Sequence, residues 1–278
     1  MPEIDLIDPE RRFGGLERLY GPQSLERLSG AHVAVAGIGG VGSWCVEALA
    51  RSGVGSLTLI DLDHITESNI NRQLHALTDT LGQSKVQAMA MRVEGINPGC
   101  RVHLVDDFVT PENVHEVLVP DLSLLIDCTD QGSAKIAMIL EAKKNKLPIV
   151  VCGGAGGKTN TLSLRASDLS QALNDALLAK LRNTLRRHHG YPKASDQAGK
   201  PRKRVAKMGV RTLWFDQPAL LPTQWQTPQS PELGSVGLQG LSCAGYGSLV
   251  TVTAAMGMAA ANEAIQWLLT GRFAQDNK

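Results

Sequence analysis

The chain has 278 residues, 43% hydrophobic and 20% charged, the balance of an ordinary soluble globular protein with ample length to bury a core. Five widely spaced cysteines without a C-x-x-C pair exclude a four-cysteine zinc site, and no apolar stretch is long enough to span a bilayer. The net charge of +1 hides an uneven distribution: residues 180–211 hold eleven Lys or Arg against one acid, Asp196, so that segment carries +10 and the remainder −9. Such a stretch suits a polyanionic partner, of which nucleic acid is the commonest. The acidic N-terminus M-P-E-I-D-L lacks the apolar region of a secretory signal, which predicts a cytoplasmic chain.

Residues 9–28 show helical spacing broken at Gly14–Gly15 and Gly21–Pro22, a helical arm ahead of the main domain. H-V-A-V-A predicts a first strand feeding the loop G-I-G-G-V-G, and helical spacing follows over 41–51. S-L-T-L-I is a second strand ending at Asp61, with the next helix over 83–96. R-V-H-L-V is a third strand, and 111–118 a short helix capped by Thr110. Residues 122–127 are a fourth strand, 133–145 a helix and 148–152 a fifth strand. Strands of continuous apolar residues alternating with helices predict an α/β fold, a mostly parallel sheet with helices on both faces. Beyond Gly157 the pattern loosens. It predicts an antiparallel strand over 161–165, a long amphipathic helix over 168–187, a basic loop over 190–208, a strand over 210–215, a loop over 220–240 and a final helix over 251–269 rich in small residues. The expected organisation is an arm over 1–29, a nucleotide-binding domain over 30–165 and a C-terminal α/β extension over 166–278.

Ligands of parallel sheets bind at the carboxyl ends of the strands, where Gly37, Asp61 and Asp130 are all predicted to lie. In the loop, Gly37 permits the tight turn, Gly39 and Gly40 let backbone approach a phosphate, and Gly42 allows close helix packing. Alone, this loop suits a Rossmann-like dinucleotide enzyme, with Asp61 on a ribose hydroxyl. The string S-N-I-N-R-Q, with Asn69, Arg72 and Gln73, and then Lys85, adds cations and amides that a hydride-transfer site does not need. They suit stabilisation of a departing phosphate. Asp130 is placed to hold a divalent cation, or alternatively to cap the following helix, whereas Asp127 closes the strand in a structural role. Cys128 and Cys152, in apolar strand-like runs, read as small buried hydrophobes.

G-I-G-G-V-G-S, L-T-L-I-D-L-D, S-N-I-N-R-Q, G-Q-S-K and D-C-T-D, in this order and spacing over residues 12–157, resemble the ThiF-like, ubiquitin-activating-type adenylation family. The resemblance implies ATP and Mg2+, and attack of a carboxylate on the α-phosphate to give an acyl adenylate. By matching position it implies Asp61, with Asp63 beside it, at the ribose. It places Asn69, Arg72 and Lys85 on the phosphates, Asp130 on magnesium and Gln73 in support of the loop. It also implies a homodimer, with Arg18 the candidate for an arginine that reaches into the partner subunit. The R-F-G-G-L-E-R-L-Y-G arm, the run G-G-A-G-G and the basic C-terminal region resemble the branch that dehydrates threonylcarbamoyladenosine in tRNA to a cyclic hydantoin.

On that reading Lys200, Arg202, Lys203, Arg204 and Lys207 contact tRNA. The bland alternative for them is a solvated loop. Cys243, in L-S-C-A-G-Y-G, is an acyl acceptor or a pocket-lining residue, and the second is favoured because a tethered nucleophile needs no thioester. A monovalent cation, Na+ or K+, near that turn and a cysteine desulfurase or sulfur-acceptor partner are further expectations. Two other functions compete: an adenylyltransferase acting on a Gly-Gly sulfur-carrier tail, and a non-catalytic nucleotide-gated scaffold.

Overall fold

Each continuous apolar run of the first half becomes a strand of one sheet. The computed structural model describes residues 8–274 apart from 197–199, 201, 204 and 222–245. The strands are β1 (His32–Ala36), β2 (Ser56–Ile60), β3 (Arg101–Val105), β4 (Leu124–Asp127), β5 (Ile149–Cys152), β6 (Leu164–Asp168) and β7 (Arg211–Phe215). Their order is β3-β2-β1-β4-β5-β7-β6, with all neighbours parallel except β6 against β7. β1, β2, β4, β5 and β7 are buried throughout, as apolar runs in a doubly covered sheet must be. β3 at the edge is largely exposed, and its mixed composition R-V-H-L-V fits that position.

The helices are α1 (Pro9–Phe13), α2 (Gly15–Tyr20), α3 (Ser24–Ser29), α4 (Gly42–Arg51), α5 (Lys85–Ile96), α6 (Val114–Val117), α7 (Gly132–Lys144), α8 (Ala176–His188) and α9 (Val250–Thr270). Helices α4, α5 and α9 pack against Val33, Val35, Leu57, Leu59 and Ile126 on one face. Helices α6, α7 and α8 cover Ala34, Ala36, Leu125 and Val151 on the other. The alternation of inward residues along β1 therefore feeds two cores, one per face. α9 rests directly on α4: a Cβ on Gly257 would lie 2.3 Å from the Val41 carbonyl oxygen, so the small-residue content of this helix sets its approach. Among the described residues no helix is long and apolar enough to cross a membrane.

Three elements start three or more residues later than expected. The short helix starts at Val114 rather than 111, because the Asn113 side chain turns back to accept the Thr110 N–H at 2.8 Å and donate to the Phe108 carbonyl. The antiparallel strand starts at Leu164, since Asn160 accepts the Leu162 N–H and winds 161–163 into a 3-10 turn. The long helix starts at Ala176, not 168. The Asp168 carboxylate is committed to the N–H groups of Ser170, Met208 and Gly209, and Asp175 supplies the cap by accepting from Leu178 N at 2.9 Å.

The N-terminal arm closes the amino-terminal end of the sheet. Phe13 and Leu25 pack on Gly53, Arg12 donates to the Ile96 carbonyl, and Arg27 donates to the Leu269 carbonyl at 2.7 Å.

Candidate active site

The chain leaves β1 toward β2 on one side and returns to β4 on the other, so the carboxyl ends of β1 and β4 diverge into a crevice. The glycine loop emerges there. Gly37 has φ of +83°, and a Cβ would lie 2.9 Å from the backbone of Cys128 and Thr129, so the turn after β4 abuts the turn after β1. A Cβ on Gly42 would overlap the Gly37 carbonyl oxygen at 1.8 Å. These two glycines are required by the fold.

Gly39 differs, for its nearest neighbour to a Cβ is Gln73 Nε2 at 3.8 Å. The N–H groups of Gly39, Gly40 and Val41 are not taken by any described residue, and they open the first turn of α4 toward the crevice. That is an anion-binding helix N-terminus. Gly39→Ala is therefore expected to leave the melting temperature within about 2 °C of wild type, as a surface substitution of under ~0.5 kcal/mol. On the expectation that this loop carries the phosphates of ATP, it should weaken ATP binding at least about tenfold, because a methyl group would stand between phosphate and backbone. Titration calorimetry beside a thermal melt separates the two, and unchanged ATP affinity would remove the loop from the site.

The one non-glycine peptide inside the G-I-G turn is clamped from both sides. Asp61, just past β2, accepts the Ile38 N–H at 2.6 Å, and the His75 ring donates from Nε2 to the Ile38 carbonyl at 2.8 Å. A carbonyl only accepts, so the proton sits on Nε2 and leaves Nδ1 bare. Burial pushes His75 down to about 4 from 6.5, and pushes Asp61 above the usual carboxylate range against the pull of Lys85.

Residue 75 was not singled out in the sequence. Its only signal is its place two residues after the S-N-I-N-R-Q string. A base kept neutral in the fold but protonated when unfolded makes protons favour unfolding. His75 thus contributes fully above pH 6.5, and the contribution is lost as pH falls toward 4. The shift is worth about 3 kcal/mol at most. His75→Gln keeps a donor for Ile38 without the titration, so the loss of melting temperature between pH about 7.5 and about 5 should shrink in the variant. An undiminished loss would refute the assignment.

The S-N-I-N-R-Q string follows β2 as a 3-10 turn (Glu67–Asn69) and a loop. Asn69 is buried and accepts the Thr66 N–H, capping that turn, while its carbonyl receives Arg72 N and Gln73 N. Its side chain acts here as a scaffold for the arginine. Arg72 is half-buried. Nη1 donates to the Ser68 carbonyl and to Asn71 Oδ1, and the Arg72 carbonyl receives Trp44 Nε1 at 3.1 Å. Asn71 also donates to the Ser248 carbonyl, and Arg72 Cγ and Thr253 Cγ2 both lie beside Gly40, so the start of α9 flanks the loop.

Lys85 begins α5 and is buried. Its ammonium pairs with Asp63 at 2.6 Å and lies 4.0 Å from Asp61, forming one cluster of a lysine and two carboxylates at the end of β2. Asp130 is exposed at the end of β4 and makes no hydrogen bond to a described residue. Gln131, not Asp130, occupies the cap position of α7, so the capping alternative for Asp130 falls.

Asp127 is the strand-end anchor. Its Oδ1 accepts from Thr129 N, Thr129 Oγ1 and the fully buried Lys135 ammonium. Cys152 is buried beneath this region and Cys128 partly so, fitting their reading as small apolar residues, and Cys45 is buried beside them. Among the described residues, the buried side-chain polar atoms without a protein partner are Gln73 Oε1, His75 Nδ1, Ser84 Oγ and Asp127 Oδ2.

The fold does not bring every expected residue here. Arg18 is exposed on α2, in the arm at the opposite end of the sheet. Lys200, Arg202, Lys203 and Lys207 are exposed on the segment leading into β7, also at the amino-terminal end. Arg204, Cys243 and all of the glycine-rich turn expected near a monovalent cation except Tyr246 and Gly247 lie outside the described residues. Among the described residues no cluster of three or more His, Cys, Asp or Glu is arranged to hold a metal.

The model of the ThiF family matches residues 14–277. The chain belongs to that family. The tRNA threonylcarbamoyladenosine dehydratase of Escherichia coli is 40% identical over 260 residues, covering 93% of this chain and 94% of that one. The enzyme of the same name from Haemophilus influenzae is 41% identical over 261 residues, covering 94% of each. The crystal structure of the E. coli dehydratase in complex with ATP superposes with a TM-score of 0.79 at 38% identity, over 94% of this chain and 95% of that one. The expected α/β architecture and adenylation-family membership are thereby established, and the nicotinamide reading of the glycine loop is set aside.

Proposed function

We propose that this chain is an ATP-dependent tRNA-modifying enzyme that converts threonylcarbamoyladenosine to its cyclic hydantoin through an acyl adenylate. The observation that carries the reading is the likeness to dehydratases of that name over 93% of the chain, joined to a crevice whose open amides and arginine suit a nucleoside triphosphate. In the first step a carboxylate oxygen of the threonyl group attacks the α-phosphorus of ATP and pyrophosphate leaves. In the second, the carbamoyl nitrogen attacks the activated carbonyl, loses its proton and expels AMP. The ring nitrogen is tethered to its electrophile, so the closure profits from high effective concentration.

In this reading the α4 amides and Arg72 hold the phosphates, and Arg72 neutralises charge as pyrophosphate departs. Asp61 fixes the glycine loop through Ile38 and turns its remaining lone pairs to the ribose. Lys85 holds Asp63 and Asp61 in place and adds positive potential near the phosphates. Asp130 would hold magnesium bound to the phosphates; one exposed carboxylate suits a cation that keeps water and phosphate oxygens for its other ligands. Arg18 can serve a nucleotide only in the crevice of a second subunit, so the proposal includes a homodimer.

The test is mass spectrometry of nucleosides from tRNA incubated with the protein and ATP. Loss of one water from threonylcarbamoyladenosine, with AMP formed in equal amount, is the expected result. Unaltered tRNA, together with pyrophosphate exchange driven by a Gly-Gly carrier tail, would transfer the adenylation chemistry to a protein substrate.

A further inference from the structure

The two ends of the sheet are chemically unlike. The carboxyl end carries the crevice described above. At the amino-terminal end, where α7 and α8 finish, a cleft of about 620 Å³ lies between Lys143, Lys146, Tyr191, Lys207, Trp267 and Phe273. Lys143 stacks over the Tyr191 ring at 4.3 Å, and Trp267 and Phe273 stack on each other with centroids 4.7 Å apart. Around this cleft Arg187, Lys193, Lys200, Arg202 and Lys203 are exposed. The acids nearby are largely committed: Glu141 to Lys144, Asp168 to three backbone amides, and Asp196 to the Lys200 N–H. Positive charge therefore dominates this end.

We propose that this cleft is a second RNA-contacting surface, which grips the phosphate backbone of the substrate tRNA while the modified nucleotide occupies the crevice at the other end. The inference rests on the proposed function and adds a remote anchor to it. α7 links the two ends, and its 13 residues set them about 20 Å apart. A single nucleotide cannot reach both, whereas a folded RNA arm can. A cationic rim of this extent is the electrostatic footprint that tracks a nucleic-acid backbone whatever its sequence, and the aromatic rings, buried or packed on the core, seat it. Lys143 and Lys146 extend the anchor from the basic loop onto the end of α7, a region whose charge is invisible in a window drawn over residues 180–211.

The experiment compares wild type with Lys143→Gln/Lys146→Gln, both exposed positions remote from the crevice. Dissociation constants for tRNA are measured over a range of salt, with ATP affinity and kcat at saturating tRNA as controls. In the variant the tRNA Kd should rise about tenfold near 0.1 M salt, and the log–log salt slope should fall by nearly two, one for each lost phosphate contact. ATP affinity and kcat should not move. A Kd and slope equal to wild type would overturn the anchor while leaving the proposed function intact. A wild-type protein that neither binds nor converts tRNA would overturn both.

Discussion

Arg72→Ala is expected to lower AMP formation by about a hundred- to a thousandfold, the usual loss when a preorganised charge donor is removed from a transition state. The structure makes this substitution unusually clean. Three backbone interactions hold the loop without help from the guanidinium: the Asn69 carbonyl receives the Arg72 and Gln73 amides, and the Arg72 carbonyl receives Trp44 Nε1. The side chain itself is pinned at one nitrogen, Nη1, by the Ser68 carbonyl and Asn71. That arrangement orients the rest of the fork before any nucleotide arrives. Truncation should therefore leave the melting temperature nearly unchanged while removing the charge.

Arg72→Lys gives a finer measurement. An ammonium keeps the charge but loses both the Nη1 anchor and the planar fork, so activity should fall between wild type and alanine. Since the proposed RNA anchor lies at the other end of the sheet, tRNA affinity should survive in both variants. Single-turnover AMP release and a tRNA binding assay read the two quantities separately. Alanine turnover equal to wild type would remove Arg72 from the chemistry.

Legibility from sequence followed the range of the interactions involved. β1, β2, β4 and β5 were readable because a doubly covered sheet imposes an unbroken apolar run, and β3 could be placed although its exposed edge position was not. Gly37, Asp61, Asn69, Arg72 and Asp130 were readable as a set because each lies just past a strand or in a loop that the topology carries to one crevice. His75 and Lys135 were not, since each works through a partner distant in the chain: Ile38, 37 positions away, and Cys152, 17 positions away. The late start of α8 had a similar cause. The helical spacing extends back to Asp168, but its carboxylate is used by amides 40 and 41 residues onward. The basic loop was legible as charge, yet its position opposite the crevice depended on which way α7 and α8 run.

Lys135 carries the largest expected stability effect. In sequence it is one cation in the apolar helix A-K-I-A-M-I. In the fold it is fully buried, its ammonium 3.0 Å from Asp127 Oδ1 and 2.8 Å from the Cys152 carbonyl, with Asp127 equally inaccessible. Lys135→Met keeps the volume of the side chain but strands a carboxylate out of reach of water. Removing one partner of such a pair costs about 3–5 kcal/mol, a fall in melting temperature of about 10 °C for a chain of this size. The further change Asp127→Asn removes the stranded charge and keeps an oxygen for Thr129, so the double variant should recover much of the loss. The distinction matters for function because Asp127 folds the turn whose Thr129 amide lies against Gly37 and whose next residue is Asp130. If the pair exists to shape that turn, the double variant will regain stability yet bind ATP several-fold more weakly than wild type, for the Lys135 bridge between Asp127 and Cys152 is still missing. Thermal melts and ATP titrations of the two variants test this directly, and a single variant as stable as wild type would refute a buried charge pair.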